Sequence, residues 1–86
     1  MVYLVSYDLN NEKNYPAIIG AIQKYYDSCK ALRSQWFVCS DESATEIYVK
    51  LKPYVDEDDW LLVSEFTDNQ CGWLSNKAIE WLKNQL

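Results

Sequence analysis

The chain has 86 residues, a formal net charge of −5, no histidine, two glycines and two prolines. That length makes one domain, residues 1–86, and a chain so short buries only about 60% of the surface its unfolded form exposes. The lack of histidine excludes Ser-His and Cys-His nucleophile pairs and the commonest metal ligand, so any catalysis would fall to carboxylates, tyrosines, lysines or a hard metal ion.

The small core is compensated by heavy side chains: four Trp, seven Tyr and two Phe, each delivering roughly 150–250 Å² of buried area. Three cysteines, Cys29, Cys39 and Cys71, stand far apart. Without C-x-x-C spacing they argue against a disulfide framework and a zinc site, and read as reduced thiols in a cytoplasmic protein, with Cys39 a buried one. Met1–Val5 is too short for a signal peptide, and no stretch reaches the ~20 apolar residues of a membrane helix.

In chain order, Val2–Leu9 alternates Tyr3, Val5 and Tyr7 with Val2, Leu4 and Ser6. Both faces are largely apolar, as in a central strand. Asn10–Asn14 is a polar loop. Asn14 or Tyr15 caps a helix over 15–27, with Pro16 in its first turn and Ile18, Ile19, Ile22, Tyr25 and Tyr26 at helical spacing. Ala31–Cys39 turns to β structure, and Ser34-Gln35 inside it leaves open one bent strand or two short ones. Ser43-Ala-Thr-Glu46 has the form of a capping box, and Ala44, Ile47, Tyr48 and Leu51 follow at helical spacing. Asp56–Asp59 is an acidic turn and Trp60–Phe66 a strand. Ser75 caps a last helix running to about Gln85, which buries Leu74, Ala78, Trp81 and Leu82.

This order predicts an α+β fold: a ferredoxin-like two-layer sandwich, a small antiparallel sheet with two helices on one face plus a C-terminal helix. The far face is left open, or partly covered by the last helix. Its aromatic content points to a homodimer.

Charge divides unevenly: residues 1–40 sum to +1 and residues 41–86 to −6. A basic stripe for a phosphate backbone could come only from Lys13, Lys24, Lys30 and Arg33, so the net charge disfavours nucleic acid as a ligand. Asp56, Glu57, Asp58 and Asp59 lack the spacing of a calcium loop. They read as a solvated turn that could meet a basic protein partner or imitate phosphates. Trp36, Trp60, Trp73 and Trp81 fit core and interface roles better than base stacking, because acids outnumber cations around them.

The strand end Tyr3-Leu-Val-Ser-Tyr-Asp8-Leu resembles the start of the small CRISPR adaptation nuclease family called Cas-two, whose first strand ends in a Tyr-Asp pair. Arg33-Ser-Gln-Trp36-Phe-Val fits as well. Ser43-Ala-Thr-Glu46-Ile47, Val55-Asp56 and Asp59-Trp60-Leu-Leu-Val63 look closer still to Cas-two-like proteins labelled SinR family. The resemblance covers roughly residues 2–66. It implies a ferredoxin-like homodimer with Asp8 of each chain near the two-fold axis, where the pair would hold Mg²⁺ or Mn²⁺ and serve as the catalytic and metal-binding residue of an endonuclease acting on RNA or DNA. Other relatives are scaffolds. The chain departs from the nucleases: Asn10-Asn-Glu-Lys-Asn14 replaces their cations, and the C-terminal end is a helix instead of a strand crossing to a partner. From sequence, then, the leading expectation is a non-catalytic, protein-binding dimer linked to phage defence or counter-defence. The alternatives are a nuclease using Asp8 and an acidic inhibitor occupying a nucleic-acid-binding site.

Overall fold

A computed structural model describes all 86 residues. In chain order it contains β1 (Val2–Asp8), α1 (Tyr15–Tyr25), β2 (Asp27–Leu32), β3 (Gln35–Cys39), α2 (Ala44–Leu51), β4 (Trp60–Phe66) and α3 (Asn76–Gln85), with short 3₁₀ turns at Glu12–Asn14 and Lys52–Tyr54. The four strands make one sheet in the order β2-β3-β1-β4, with antiparallel pairing throughout. This is the ferredoxin-like arrangement: each helix-containing crossover, β1-α1-β2 and β3-α2-β4, skips over one strand. No helix is long and apolar enough to cross a membrane.

Strand alternation sorts the sheet into two unequal faces. Tyr3, Val5 and Tyr7 of β1, with Trp36 and Val38 of β3, pack under Ile18, Ala21 and Ile22 of α1 and Ile47 and Leu51 of α2. The opposite face carries a smaller core in which Val2, Cys29 and Phe37 meet Ala78 and Leu82 of α3. Phe37 is its hub, edge-on to Phe66 at 4.7 Å between ring centroids and stacked on Trp81 at 6.0 Å. Two hydrogen bonds clamp α3 to the start of β2: Trp81 Nε1 and Gln85 Nε2 donate to the Asp27 carboxylate at 3.1 and 3.0 Å. The last helix thus covers one end of the far face and leaves the other end open.

Residues 27–39 form a hairpin with its turn at Arg33-Ser34, which resolves the choice left by Ser34-Gln35 in favour of two strands. The β structure starts at Asp27, earlier than the expected Ala31, and α1 ends at Tyr25. Cys29 is the buried thiol, whereas Cys39, expected to be buried, is half-buried and Cys71 is exposed. Asp27 faces Cys39 in the hairpin register and is drawn into the sheet by its bonds to α3.

The backbone polarity of β1 fixes which edge groups of the sheet are free. Tyr7 N–H donates to Ser34 O at 3.1 Å, and Ser40 N–H donates to Met1 O at 2.9 Å. Odd-numbered residues of β1 therefore turn their backbone groups toward β3. Even-numbered residues turn theirs toward β4, because both groups of a strand residue point the same way in an antiparallel ladder. Their partners are Trp60, Leu62, Ser64 and Phe66. It follows that the N–H and C=O groups of Leu61, Val63 and Glu65 face outward along the β4 edge.

Candidate functional site

Where α3 stops, the far face of the sheet opens into a shallow depression of about 460 Å³ lined by Ser6, Asp8, Leu32, Arg33, Gln35, Trp60 and Leu62, among others. Three of these are large apolar side chains facing solvent: Trp60 is 73% exposed, Leu62 62% and Leu32 53%. The register puts them there. Asp8 pairs with Trp60, Ser6 with Leu62 and Gln35, and Gln35 with Leu32, so all six project from the same face. One polar bond crosses the floor, Gln35 Nε2 donating to Ser6 Oγ at 3.1 Å.

Asp8 ends β1 on the exposed rim of this depression. Arg33, at the tip of the hairpin, lines the same space. The ion pair of the chain lies elsewhere, between Lys50 Nζ and Glu42 Oε2 at 3.0 Å, so the carboxylate of Asp8 and the guanidinium of Arg33 are both unpaired. The donor set at Asp8 is sparse: one carboxylate with the neutral side chains of Ser6 and Gln35, the low end of the one or two carboxylates by which proteins hold Mg²⁺ beside its waters. A two-acid metal centre here would need a second carboxylate from another chain.

The carboxylates that do gather are Asp56, Asp58 and Asp59, and the structure gives two of them other work. Asp59 accepts from the backbone N–H of Asn10 at 2.9 Å and of Asp56 at 2.8 Å. Asp56 accepts from Asn14 Nδ2 at 2.7 Å, and Asn10 Nδ2 donates to the Asp58 carbonyl at 2.7 Å. The acidic turn therefore pins the loop that follows β1. Of the four acids expected to be a solvated turn or partner surface, Glu57 and Asp58 have free side chains, and Asp56 and Asp59 are internal fasteners.

The cations expected to meet phosphate do not form a stripe. Lys30 and Arg33 line a groove at the β2 edge together with Lys77 of α3, while Lys24 lies over the Tyr25 ring at 5.7 Å. Of the tryptophans, Trp36 is buried and Trp81 half-buried, whereas Trp73 is 90% exposed. The Trp60–Leu62–Leu32 patch was not singled out by sequence. Its one signal is that Trp60-Leu-Leu-Val63 is apolar on both faces of its strand, so one face must lie outside the helix-covered core.

A second polar constellation is structural. Lys50 sits 5.5 Å from the ring centroids of both Tyr25 and Tyr26 while it pairs with Glu42. The hydrogen bond from Lys50 holds the Glu42 carboxyl below the usual carboxylate range. Burial, together with the nearby Glu42 carboxylate, pushes the Tyr26 phenol well above its ordinary value of 10.0. The hydrogen bond between the hydroxyls of Tyr25 and Tyr54, 2.6 Å long, raises the Tyr54 phenol. This group ties α1 to α2 and the turn after it.

Fold and site together define the chain as a small ferredoxin-like α+β domain whose sheet has one face covered by two helices and one face partly covered by the third. Comparisons with protein-family models, curated proteins and solved structures give no match.

Proposed function

We propose that this chain is a non-catalytic homodimeric module of Cas-two-like type that binds protein, in a setting of phage defence or counter-defence. The observation that supports it best is the apolar patch of Trp60, Leu62 and Leu32 on the open end of the sheet. Large exposed apolar groups gathered in one place on so small a domain mark a contact surface. Trp and Arg are also the side chains most enriched at binding hot spots. The polar rim, Asp8 and Arg33, carries charges without partners inside the chain and so available to a ligand.

The test is sedimentation at micromolar concentration, followed by capture of partners on tagged protein with a Trp60→Ala, Leu62→Ala control. A dimer whose captured partner is lost in the control supports the reading. A monomer that captures the same proteins with or without the patch overturns it.

The unpaired carboxylate of Asp8 favours a second reading, a metal-dependent nuclease. One chain supplies a single acid, so this reading needs two copies of Asp8 close enough to share an ion. We expect purified protein with Mg²⁺ or Mn²⁺ to cleave neither RNA nor DNA. Cleavage that disappears in Asp8→Ala would reverse the order of the two readings.

A further inference from the structure

The two edges of the sheet differ in a way that says how copies of this chain meet. An exposed edge strand is a template for pairing, and proteins that must not pair blunt it with lysine, proline, a bulge or a short strand. The β2 edge has such protection: Lys30 in the strand, Arg33 at its end, and an irregularity between Lys30 and Leu32. The β4 edge has one exposed charge, Glu65, and none of the other devices. Its seven residues, Trp-Leu-Leu-Val-Ser-Glu-Phe, contain no lysine and no proline and keep unbroken register with β1 from Trp60 to Phe66. Its outward N–H and C=O groups, those of Leu61, Val63 and Glu65, make no backbone hydrogen bond to any other part of the chain.

We propose that β4 pairs with β4 of a second copy, antiparallel across a two-fold axis at Val63, so that two four-stranded sheets become one continuous sheet. This rests on the homodimer reading above and adds where the copies join, at a junction other than the two-fold axis near Asp8 that the resemblance implies. The register follows from the outward groups. With Val63 opposite Val63, Leu61 faces Glu65 of the partner subunit and Glu65 faces the partner's Leu61. Every outward N–H then meets an outward carbonyl, as a hydrogen-bonded antiparallel pairing requires. Sliding the axis to Leu62 would set Glu65, inside the strand, against the partner's Asp59, and like charges directly opposite are destabilising; the Val63 register opposes acids only beyond the strand ends, Asp58 against the partner's Asp68. On the far face, the Val63 register sets Trp60 against the partner's Phe66 and Leu62 against the partner's Ser64. On the helix face, an apolar groove of about 250 Å³ runs along this edge between α2 and β4, lined by Ala44, Thr45, Tyr48, Leu61, Leu62 and Val63. It offers lateral contact for the partner's Leu61 and Val63.

The pairing has a consequence for Asp8. Asp8 is level with Trp60, three residues from the axis. At about 3.3 Å per residue the two copies of Asp8 stand roughly 20 Å apart along the strand direction alone. They cannot share one ion. An edge-paired dimer thus sets two open half-faces side by side, each with its own Asp8, and leaves no shared metal centre at the axis.

The test uses the full chain and two readouts. Glu65→Pro removes one outward N–H and takes no bond from β1, because the Glu65 backbone faces away from that strand. Edge strands tolerate proline at such positions. We expect the wild type to sediment as a dimer and Glu65→Pro as a folded monomer with an unchanged circular dichroism spectrum. In amide hydrogen exchange by NMR on the wild type, Leu61, Val63 and Glu65 should exchange slowly at high protein concentration and lose that protection on dilution. A wild-type monomer would remove the homodimer reading and this inference together. A wild-type dimer in which those three amides exchange freely, or which survives in Glu65→Pro, would overturn the edge pairing alone and leave the homodimer standing through another surface. If Glu65→Pro does not fold, the exchange pattern of the wild type decides.

Discussion

At the scale of single residues, Asp59 shows how a surface acid can be structural. Its carboxylate receives backbone N–H groups from two different loops, and hydrogen bonds to charged groups contribute about 1.5–3 kcal/mol each when well shielded. Asp59 is half-buried, so Asp59→Ala is expected to cost about 1–3 kcal/mol in urea unfolding. Glu57→Ala and Asp58→Ala should stay within about ±0.5 kcal/mol. Equal effects at all three would mean that the turn acts only through its summed charge. The sequence Asp56-Glu-Asp-Asp59 announces an acidic turn, but nothing in it separates the fasteners from the free acids. That distinction depends on Asn10 and Asn14, more than forty residues away. The tyrosines give a pH prediction. Tyr26 keeps its proton in the folded chain above the value of 10.0 at which it would ionise unfolded. Above that pH the unfolded state binds fewer protons than the folded one, so stability falls as pH rises past 10. Tyr26→Phe should flatten this alkaline limb, read from urea midpoints between neutral pH and pH 11. Glu42 acts in the opposite sense. Its lowered value adds stability above the ordinary carboxylate range that is lost on acidification, and Glu42→Gln should remove that acid dependence.

At the scale of elements, the helices and the two central-sheet signals were written clearly in the sequence, and the edge strand β2 was not. Ser43 and Glu46 form the reciprocal capping box that their spacing announces, at 3.2 and 3.1 Å. Ser75 likewise caps α3 by accepting from Ala78 N–H at 3.2 Å. Ser43→Ala is expected to destabilise the fold by about 1 kcal/mol, measured by denaturant midpoint. β2 was obscured because Asp27-Ser-Cys-Lys30 has low strand propensity and buries only Cys29. Tertiary contacts override that preference: Asp27 is fastened by Trp81 and Gln85, and the strand lies against β3. The open end of the far face was legible only as a possibility, since where α3 ends its cover depends on the loop from Thr67 to Leu74, which has no periodicity to read. Removing α3 tests the division into two cores. A chain ending after Phe66 should keep the helix-face core and expose Val2 and Phe37, binding more of a hydrophobic dye than the full chain does. Complete loss of cooperative unfolding instead would show that both cores fold as one unit.

At the scale of the whole molecule, charge would set the conditions for the proposed pairing of two copies. Each chain carries −5, and most of the excess lies in the half that contains β4 and its flanking turns. In the pairing centred on Val63, Asp58 lies opposite the partner's Asp68, so acids meet at both ends of the seam, and Glu65 adds one acid per chain within it. The attraction across the seam comes from backbone hydrogen bonds and apolar side chains, which salt does not screen. The repulsion comes from exposed charges, which it does. The Debye length falls from about 10 Å at 0.1 M salt to about 3 Å at 1 M. The dimer is therefore expected to tighten as sodium chloride is raised over that range, measured by sedimentation at protein concentrations near the dissociation constant. The double substitution Asp58→Asn, Asp68→Asn should strengthen association at low salt and flatten the salt dependence. Neither side chain fastens the fold, so the melting of the monomer should hardly change. A face-to-face dimer held by Arg33 against the partner's Asp8 would behave in the opposite way, loosening as salt rises, because an exposed ion pair is weakened by screening. The sign of the salt response thus separates the two geometries without any change to the apolar patch. A dimer that dissociates in high salt would place the junction at the Asp8–Arg33 rim instead of the β4 edge.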